Sequence, residues 1–183
     1  MESDHDLVHA LRERRPGAFD QLYCTYHGRI WRFLARLAGS DAEDLFQETW
    51  VAAARHVHHL REDTTLLSWL FTIARNKHRN GLRAWARHSR QRNLLVQAGA
   101  NAQPSLDDIV DSHRRAAETQ ASLDSLPVTH REVLLLCVAE NLETRAVAEI
   151  LKCTSAAVRK RLSRARQELA RLMGKCQAER KTA

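Results

Sequence analysis

Three groups of side chains in this sequence have the types and spacing to carry recognition chemistry. Towards the C-terminus, Arg159, Lys160, Ser163, Arg164 and Arg166 fall on the outer side of a helical repeat. An arginine fork there matches the two acceptors on the major-groove edge of guanine and can equally hold a phosphate. In the middle of the chain Arg75, Arg79, Arg83 and Arg87 are spaced by four, which aligns them along one side of a helix, and the stretch from Arg75 to Arg92 contains no acidic residue. Like charges so placed repel one another, and a polyanion along that side removes the penalty, so nucleic acid is the expected occupant. The third group is acidic: Asp44, Gln47, Glu48 and Val51 share one stripe, whose charge repels DNA and therefore suits a protein partner. No nucleotide-binding glycine loop, paired catalytic carboxylates or nucleophile–base signature is present, so no catalytic residue and no cofactor is expected. His56, His58 and His59 form a compact trio without a nearby cysteine, and no metal site is assigned to them.

Helical elements must position these groups. In the segment AVAEILKCTSAAVRKRLSRARQEL, Ala146 to Leu169, an apolar stripe of Ala146, Val147, Ile150 and Leu151 is followed by a tight turn and a basic second helix. Thr154 is suited to cap that second helix, whose inner side carries Ala157, Val158, Leu162, Ala165 and Leu169. This is the outline of a helix-turn-helix DNA reader. The acidic stripe belongs to a helix starting at Ser40, where Ser40 and Glu43 have capping-box spacing, with Leu45, Thr49, Trp50, Ala53 and Val57 facing the core. Ala18, Phe19, Leu22, Tyr23, Tyr26 and Ile30 form an apolar stripe before it, and Trp69 and Trp85 are expected to be buried.

The chain has 183 residues with only six glycines and three prolines, few turn clusters and almost no alternating apolar pattern, which predicts an all-α protein. A composition shift at residues 93–108 reads as a flexible linker, dividing the chain into two small helical domains, 1–92 and 109–183, the second carrying the helix-turn-helix and a short polar tail. Pro127 marks a new helix start. A net charge of +7 points to a polyanionic partner. No apolar run approaches a membrane span and the N-terminus lacks a signal-peptide core, so a cytoplasmic protein without membrane insertion is expected. Cys24, Cys137, Cys153 and Cys176 are scattered and suggest neither disulfides nor zinc.

The sequences DAEDLFQETW from Asp41, WLFTIARN from Trp69, LDSLPVTHREVLLL from Leu123 and the helix-turn-helix, in that order, resemble the extracytoplasmic-function (ECF) sigma factors of bacteria. The resemblance implies a promoter-specificity subunit that binds core RNA polymerase and promoter DNA. Its N-terminal domain, region 2, would bind the polymerase clamp helices through Asp44, Gln47 and Glu48. It would also melt and capture the minus-10 element with Asn76, Arg79 and Arg83 and with a loop at residues 58–65 containing His58, His59, Leu60 and Arg61. Leu60 stands where relatives often carry an aromatic residue. The C-terminal domain, region 4, would sit on the polymerase flap and read the minus-35 duplex with Thr154, Ser155, Arg159, Lys160, Ser163 and Arg164. Lys152 and Ala156 occupy positions where glycine is frequent, and Glu143 replaces a serine cap, with Thr144 able to cap one residue later; Lys152 adds a phosphate contact. The resemblance further implies an anti-sigma factor as partner and a monomer outside these complexes. Two rival readings are a duplex-binding regulator that is not a polymerase subunit and a His-cluster metal sensor; a stable complex with core polymerase distinguishes both from a sigma factor.

Overall fold

The computed structural model describes residues 4–92, 117 and 119–181, and all regular structure among them is helical. The first unit contains α1 (Asp4–Arg12), α2 (Ala18–Ala38), α3 (Ala42–His56) and α4 (Leu66–Arg92). Apolar residues every three or four positions give α2 one continuous buried stripe of Leu22, Tyr26, Ile30, Phe33, Leu34 and Leu37. It packs against Leu45, Trp50 and Ala53 of α3 and Leu66, Leu70, Phe71 and Ala74 of α4, with the Phe33 and Phe71 rings edge to face at 5.0 Å. Leu7, Val8 and Leu11 of α1 close one end of this core. Gly17, at φ 79°, supplies the left-handed backbone that turns the chain into α2. Tyr23 departs from the expected burial: it is exposed, stacked on His27 and set edge-on to Trp50 and Phe46.

The second unit contains α5 (119–124), α6 (Val128–Leu134), α7 (Thr144–Leu151) and α8 (Ser155–Lys181). Pro127 opens α6 as expected. A π turn at Leu135–Ala139 follows α6, with the Glu140 amide donating to the Leu135 carbonyl at 2.9 Å. Val147, Ile150 and Leu151 of α7 and Val158 and Ala165 of α8 are buried, so the helix-turn-helix core has the spacing read from sequence. The segment 93–108, read as a linker, lies outside the described residues. No helix among the described residues is long and apolar enough to cross a membrane.

Two capping expectations are overturned and one holds. Ser40 and Glu43 form no capping box: Gly39–Asp41 is a 3-10 turn running straight into α3, the Ala42 amide donates to the Gly39 carbonyl, and the Ser40 hydroxyl reaches Asp41 Oδ1 at 3.3 Å. Glu143 is the residue before α7 and Thr144 is already helical, with no side-chain cap at that end. Thr154 does cap α8, its Oγ1 accepting the Ala157 amide proton at 3.2 Å.

The two units are packed together. Arg29 of α2 donates from Nε to Glu140 Oε2 and from Nη2 to the Glu140 carbonyl, both at 2.8 Å. Arg131 Nη1 donates to the Leu37 carbonyl at 3.0 Å, and Gln120 Nε2 to the Arg36 carbonyl at 3.1 Å. Helix α7 lies along α4, where Arg75 Nε is 3.2 Å from Glu132 Oε2 and Arg75 Nη1 donates to the Ile150 carbonyl at 3.3 Å.

Candidate nucleic-acid and protein interfaces

Helix α3 separates a buried side from an acidic one. Leu45, Thr49, Trp50 and Ala53 face inward, Thr49 donating its hydroxyl proton to the Leu45 carbonyl at 2.6 Å, while Asp44, Gln47, Glu48 and Val51 are exposed together. Glu48 is tied to α4 by an ion pair with Lys77 at 3.3 Å, and Asp44 and Gln47 are exposed with it. Beside Asp44 a groove of about 410 Å³ runs between the start of α3 and the outer part of α4, lined by Asp41, Leu45, His78, Gly81, Leu82 and Trp85. Trp85 is 71% exposed, against the expectation of burial, because α4 at this point has outrun the helices that cover its first turns. His78 at the groove floor is buried, and that burial, followed by the nearby charge of Arg131, pushes its pKa below the ordinary imidazole value.

The basic side of α4 is not uniform. Arg83 and Arg87 are exposed, Asn76 and Arg79 are half-buried, and Arg75 is buried with its side chain only 5% exposed. The expectation that Arg75 lies on the nucleic-acid stripe is therefore corrected for this conformation. Helices α6 and α7 cover the inner end of the stripe, and Glu132, only 2% exposed, supplies the carboxylate that a buried guanidinium requires. Sequence reasoning missed Glu132, although an acid directly ahead of the apolar run Val133 to Leu136 is a signal for a buried ion pair.

At residues 57–65 a 3-10 turn, Val57–His59, leads into the loop before α4. His59 and Arg61 are exposed, and Arg61 pairs with Asp63 at 3.1 Å. His58 is half-buried, its Nδ1 3.0 Å from the Leu11 carbonyl. Leu60 is 6% exposed and belongs to the core, so its side chain anchors the loop and is not presented for contact. Arg12 of α1 reaches the loop through an ion pair with Glu62 at 2.7 Å and holds that carboxyl below its usual range. His56 and His59 are exposed, and among the described residues no group of three or more histidine, cysteine or acidic side chains is arranged to hold a metal.

On α8, Arg159, Lys160, Ser163, Arg164 and Arg166 all point to solvent, and Ser155 is half-buried beside the exposed Thr154 cap. Arg161, between them, turns inward to within 3.9 Å of Cys153 Sγ. Lys152 has φ 51° and ends α7: its amide donates to the Glu149 carbonyl at 3.2 Å and the Cys153 amide to that of Ala148 at 2.9 Å. That is a Schellman closure with lysine where glycine is usual. Lysine at this position thus still closes the turn, and Lys152 is exposed three residues ahead of the start of α8.

The chain matches two family descriptions, sigma-70 region 2 over residues 22–89 and sigma-70 region 4 over residues 116–169. It is 32% identical over 168 residues to the ECF RNA polymerase sigma factor SigE of Mycolicibacterium smegmatis, covering 88% of this chain and 64% of SigE, so it spans a little under two thirds of that longer relative. It is 30% identical over 174 residues to the RNA polymerase sigma factor CarQ of Myxococcus xanthus, covering 92% of this chain and 97% of CarQ. Among solved structures, the sigma factor RpoE from Bartonella quintana, determined with the anti-sigma factor NepR, superposes with a TM-score of 0.74 at 24% identity over 86% of this chain and 98% of RpoE, which establishes the fold. The buried stripes, the capped α8 and the family matches over nearly the whole length agree: the chain belongs to the ECF RNA polymerase sigma factors.

Proposed function

We propose that this sigma factor divides its work among three surfaces, with residues 1–92 acting as region 2 and 109–183 as region 4. The acidic stripe Asp44, Gln47 and Glu48 docks on the polymerase clamp helices. The observation that carries this reading is the segregation of charge, an exposed acidic face on α3 against exposed arginines on α4 and α8, because a DNA-facing surface has no use for the first and a polymerase-facing one does. Asn76, Arg79 and Arg83, with His58, His59 and Arg61 of the adjoining loop, take the melted minus-10 strand. The amide of Asn76 bonds the edge of an extruded base, and the arginines hold the backbone. Thr154, Ser155, Arg159, Lys160, Ser163 and Arg164 read the minus-35 duplex, each well-formed bidentate base contact contributing roughly 1–3 kcal/mol of discrimination. Strand opening then draws on binding energy, as suits a transcription factor that is not an enzyme.

An anti-sigma factor is the expected antagonist, acting by covering the polymerase-facing surfaces; RpoE was solved with such a partner. Outside its complexes the chain is a monomer. The deciding experiment compares Asn76→Ala with the parent chain in polymerase holoenzyme. Permanganate reactivity of minus-10 thymines should fall about tenfold or more, while initial duplex binding stays within about twofold, since one interaction confined to the opened state is lost. Equal losses in both steps defeat the assignment of Asn76.

A further inference from the structure

We propose that the groove beside Asp44 seats an arginine side chain of core RNA polymerase, so that α4 serves protein on one side and nucleic acid on the other. The inference rests on the reading of the acidic stripe as a polymerase-facing surface, and it extends that surface from α3 across onto α4. The groove measures about 410 Å³ and is lined by Asp41, Asp44, Leu45, His78, Gly81, Leu82 and Trp85. That volume falls in the range of about 300–1,000 Å³ found for pockets that bury a ligand.

Three observations point to an occupant. His78 is 6% exposed, and its Nδ1 is buried without a hydrogen-bond partner. Such an atom is satisfied when an incoming polar group reaches it. Leu82 and Trp85 expose apolar surface on the same side of α4 as His78, at the spacing of three and four residues that keeps helical side chains in line. Gly81 lies among them inside α4, where glycine is a poor helix former, and a Cβ there would meet nothing within 4 Å. Packing among the described residues does not call for that glycine; its effect is to keep the groove open.

Charge selects the occupant. The chain carries a net charge of +7, yet Asp41 and Asp44 bring two carboxylates to this groove. They repel a phosphate and attract a cation. Arginine suits the site better than lysine, because its planar guanidinium can stack on the Trp85 indole and fork onto a carboxylate. An apolar side chain one turn away on the same polymerase helix then covers Leu45 and Leu82 above Gly81. Arg83 precedes Trp85 by two residues, a rotation of about 200° around the helix axis. The stripe of Arg79, Arg83 and Arg87 therefore faces away from the groove and stays free for the strand.

The test measures binding of core polymerase to the full chain by anisotropy of an N-terminal fluorescein. Exposure of Trp85 is read in parallel as the difference in iodide quenching between the parent and Trp85→Phe. Gly81→Leu fills the groove with a helix-favouring residue, and Trp85→Ala removes the indole at an exposed position. Each should weaken binding about tenfold with the circular dichroism unchanged. The double variant should lose little more than either alone, because both disable one contact. Core polymerase should shield Trp85 from iodide, and a single-stranded oligonucleotide should not. Parent-like affinity in both single variants overturns the groove; if Asp44→Arg still weakens binding, the acidic-stripe reading stands without it. Loss in the groove variants beside a parent-like Asp44→Arg refutes the stripe and leaves the groove, with Asp41 as its carboxylate. Shielding of Trp85 by the oligonucleotide makes the groove a base-stacking site and overturns the proposal.

Discussion

Replacing Lys152 by glycine should make this protein more stable and a poorer DNA binder at the same time. Lys152 sits at φ 51° where α7 closes, and a side chain in that left-handed conformation costs roughly 1–2 kcal/mol because Cβ crowds the following carbonyl. Glycine removes the crowding but gives back about 0.5–1 kcal/mol in backbone freedom lost on folding. The balance is a gain of about 0.5–1 kcal/mol, or a rise of about 1–4 °C in melting temperature for a chain of this size. Lys152→Ala keeps the crowding and should bring no gain, so the glycine–alanine difference isolates the backbone contribution. Both variants lose the exposed positive charge of Lys152 in the turn ahead of α8. The slope of log affinity for minus-35 duplex against log salt should therefore shrink by about 0.9 in both, which between 50 and 200 mM salt is about a threefold difference. Calorimetry and fluorescence anisotropy read the two effects independently. Equal melting temperatures for the glycine and alanine variants would show that the turn is not strained, and unchanged salt slopes would remove Lys152 from the phosphate contacts.

Asp44→Arg should weaken association with core polymerase at least about tenfold while leaving the fold intact, because Asp44 is exposed and a like charge across an interface is strongly unfavourable; unchanged co-elution with core enzyme counts against the acidic face. Arg164→Ala should relax preference at one minus-35 base pair, and a uniform loss over all promoter variants would reduce Arg164 to a phosphate contact. Burial favours the neutral form of His78 and lowers its pKa, so around and below the ordinary imidazole value of 6.5 the unfolded chain binds more protons than the folded one. Stability should thus fall as pH drops through 6.5 towards the lower folded value and be insensitive to His78 above it. His78→Asn should flatten the melting temperature between about pH 7 and pH 5.5, and an unaltered profile would show that His78 does not carry that dependence.

Most of the fold was legible because a helix writes its buried side into the sequence every three or four residues. Leu22, Ile30 and Leu37 on α2, or Val147, Ile150 and Leu151 on α7, need no tertiary information to be placed. Thr154 was legible for a similarly local reason, since its hydroxyl serves an amide three residues away. The misreadings have a common cause in contacts between residues distant in sequence. Spacing by four aligned Arg75 with Arg79 and Arg83, yet whether that line meets water or another helix depends on Glu132, 57 positions later. Trp85 looked like core because tryptophan usually is, but the covering helices end before it. Ser40 and Glu43 have the right spacing for a capping box, and a 3-10 turn takes the amide first. The surfaces were easier to read than their availability: exposed Asp44, Gln47, Arg159, Lys160 and Arg164 are where side-chain periodicity puts them, while Leu60 is spent on the core.

If the loop at residues 57–65 takes the melted strand as proposed, it is a recognition element prepared before its ligand arrives. It is pinned from α1 at two points, His58 on the Leu11 carbonyl and Glu62 on Arg12, and α1 is itself fastened to α2 by the Tyr26 hydroxyl donating to Asp4 at 2.5 Å. The match to sigma-70 region 2 begins only at residue 22, so the helix that stiffens the loop lies outside it. Ordering a free loop costs on the order of 1–2 kcal/mol per residue, and here that entropy is surrendered during folding instead of on ligand binding. On that reading, affinity for an extruded base depends on α1, which need never touch DNA.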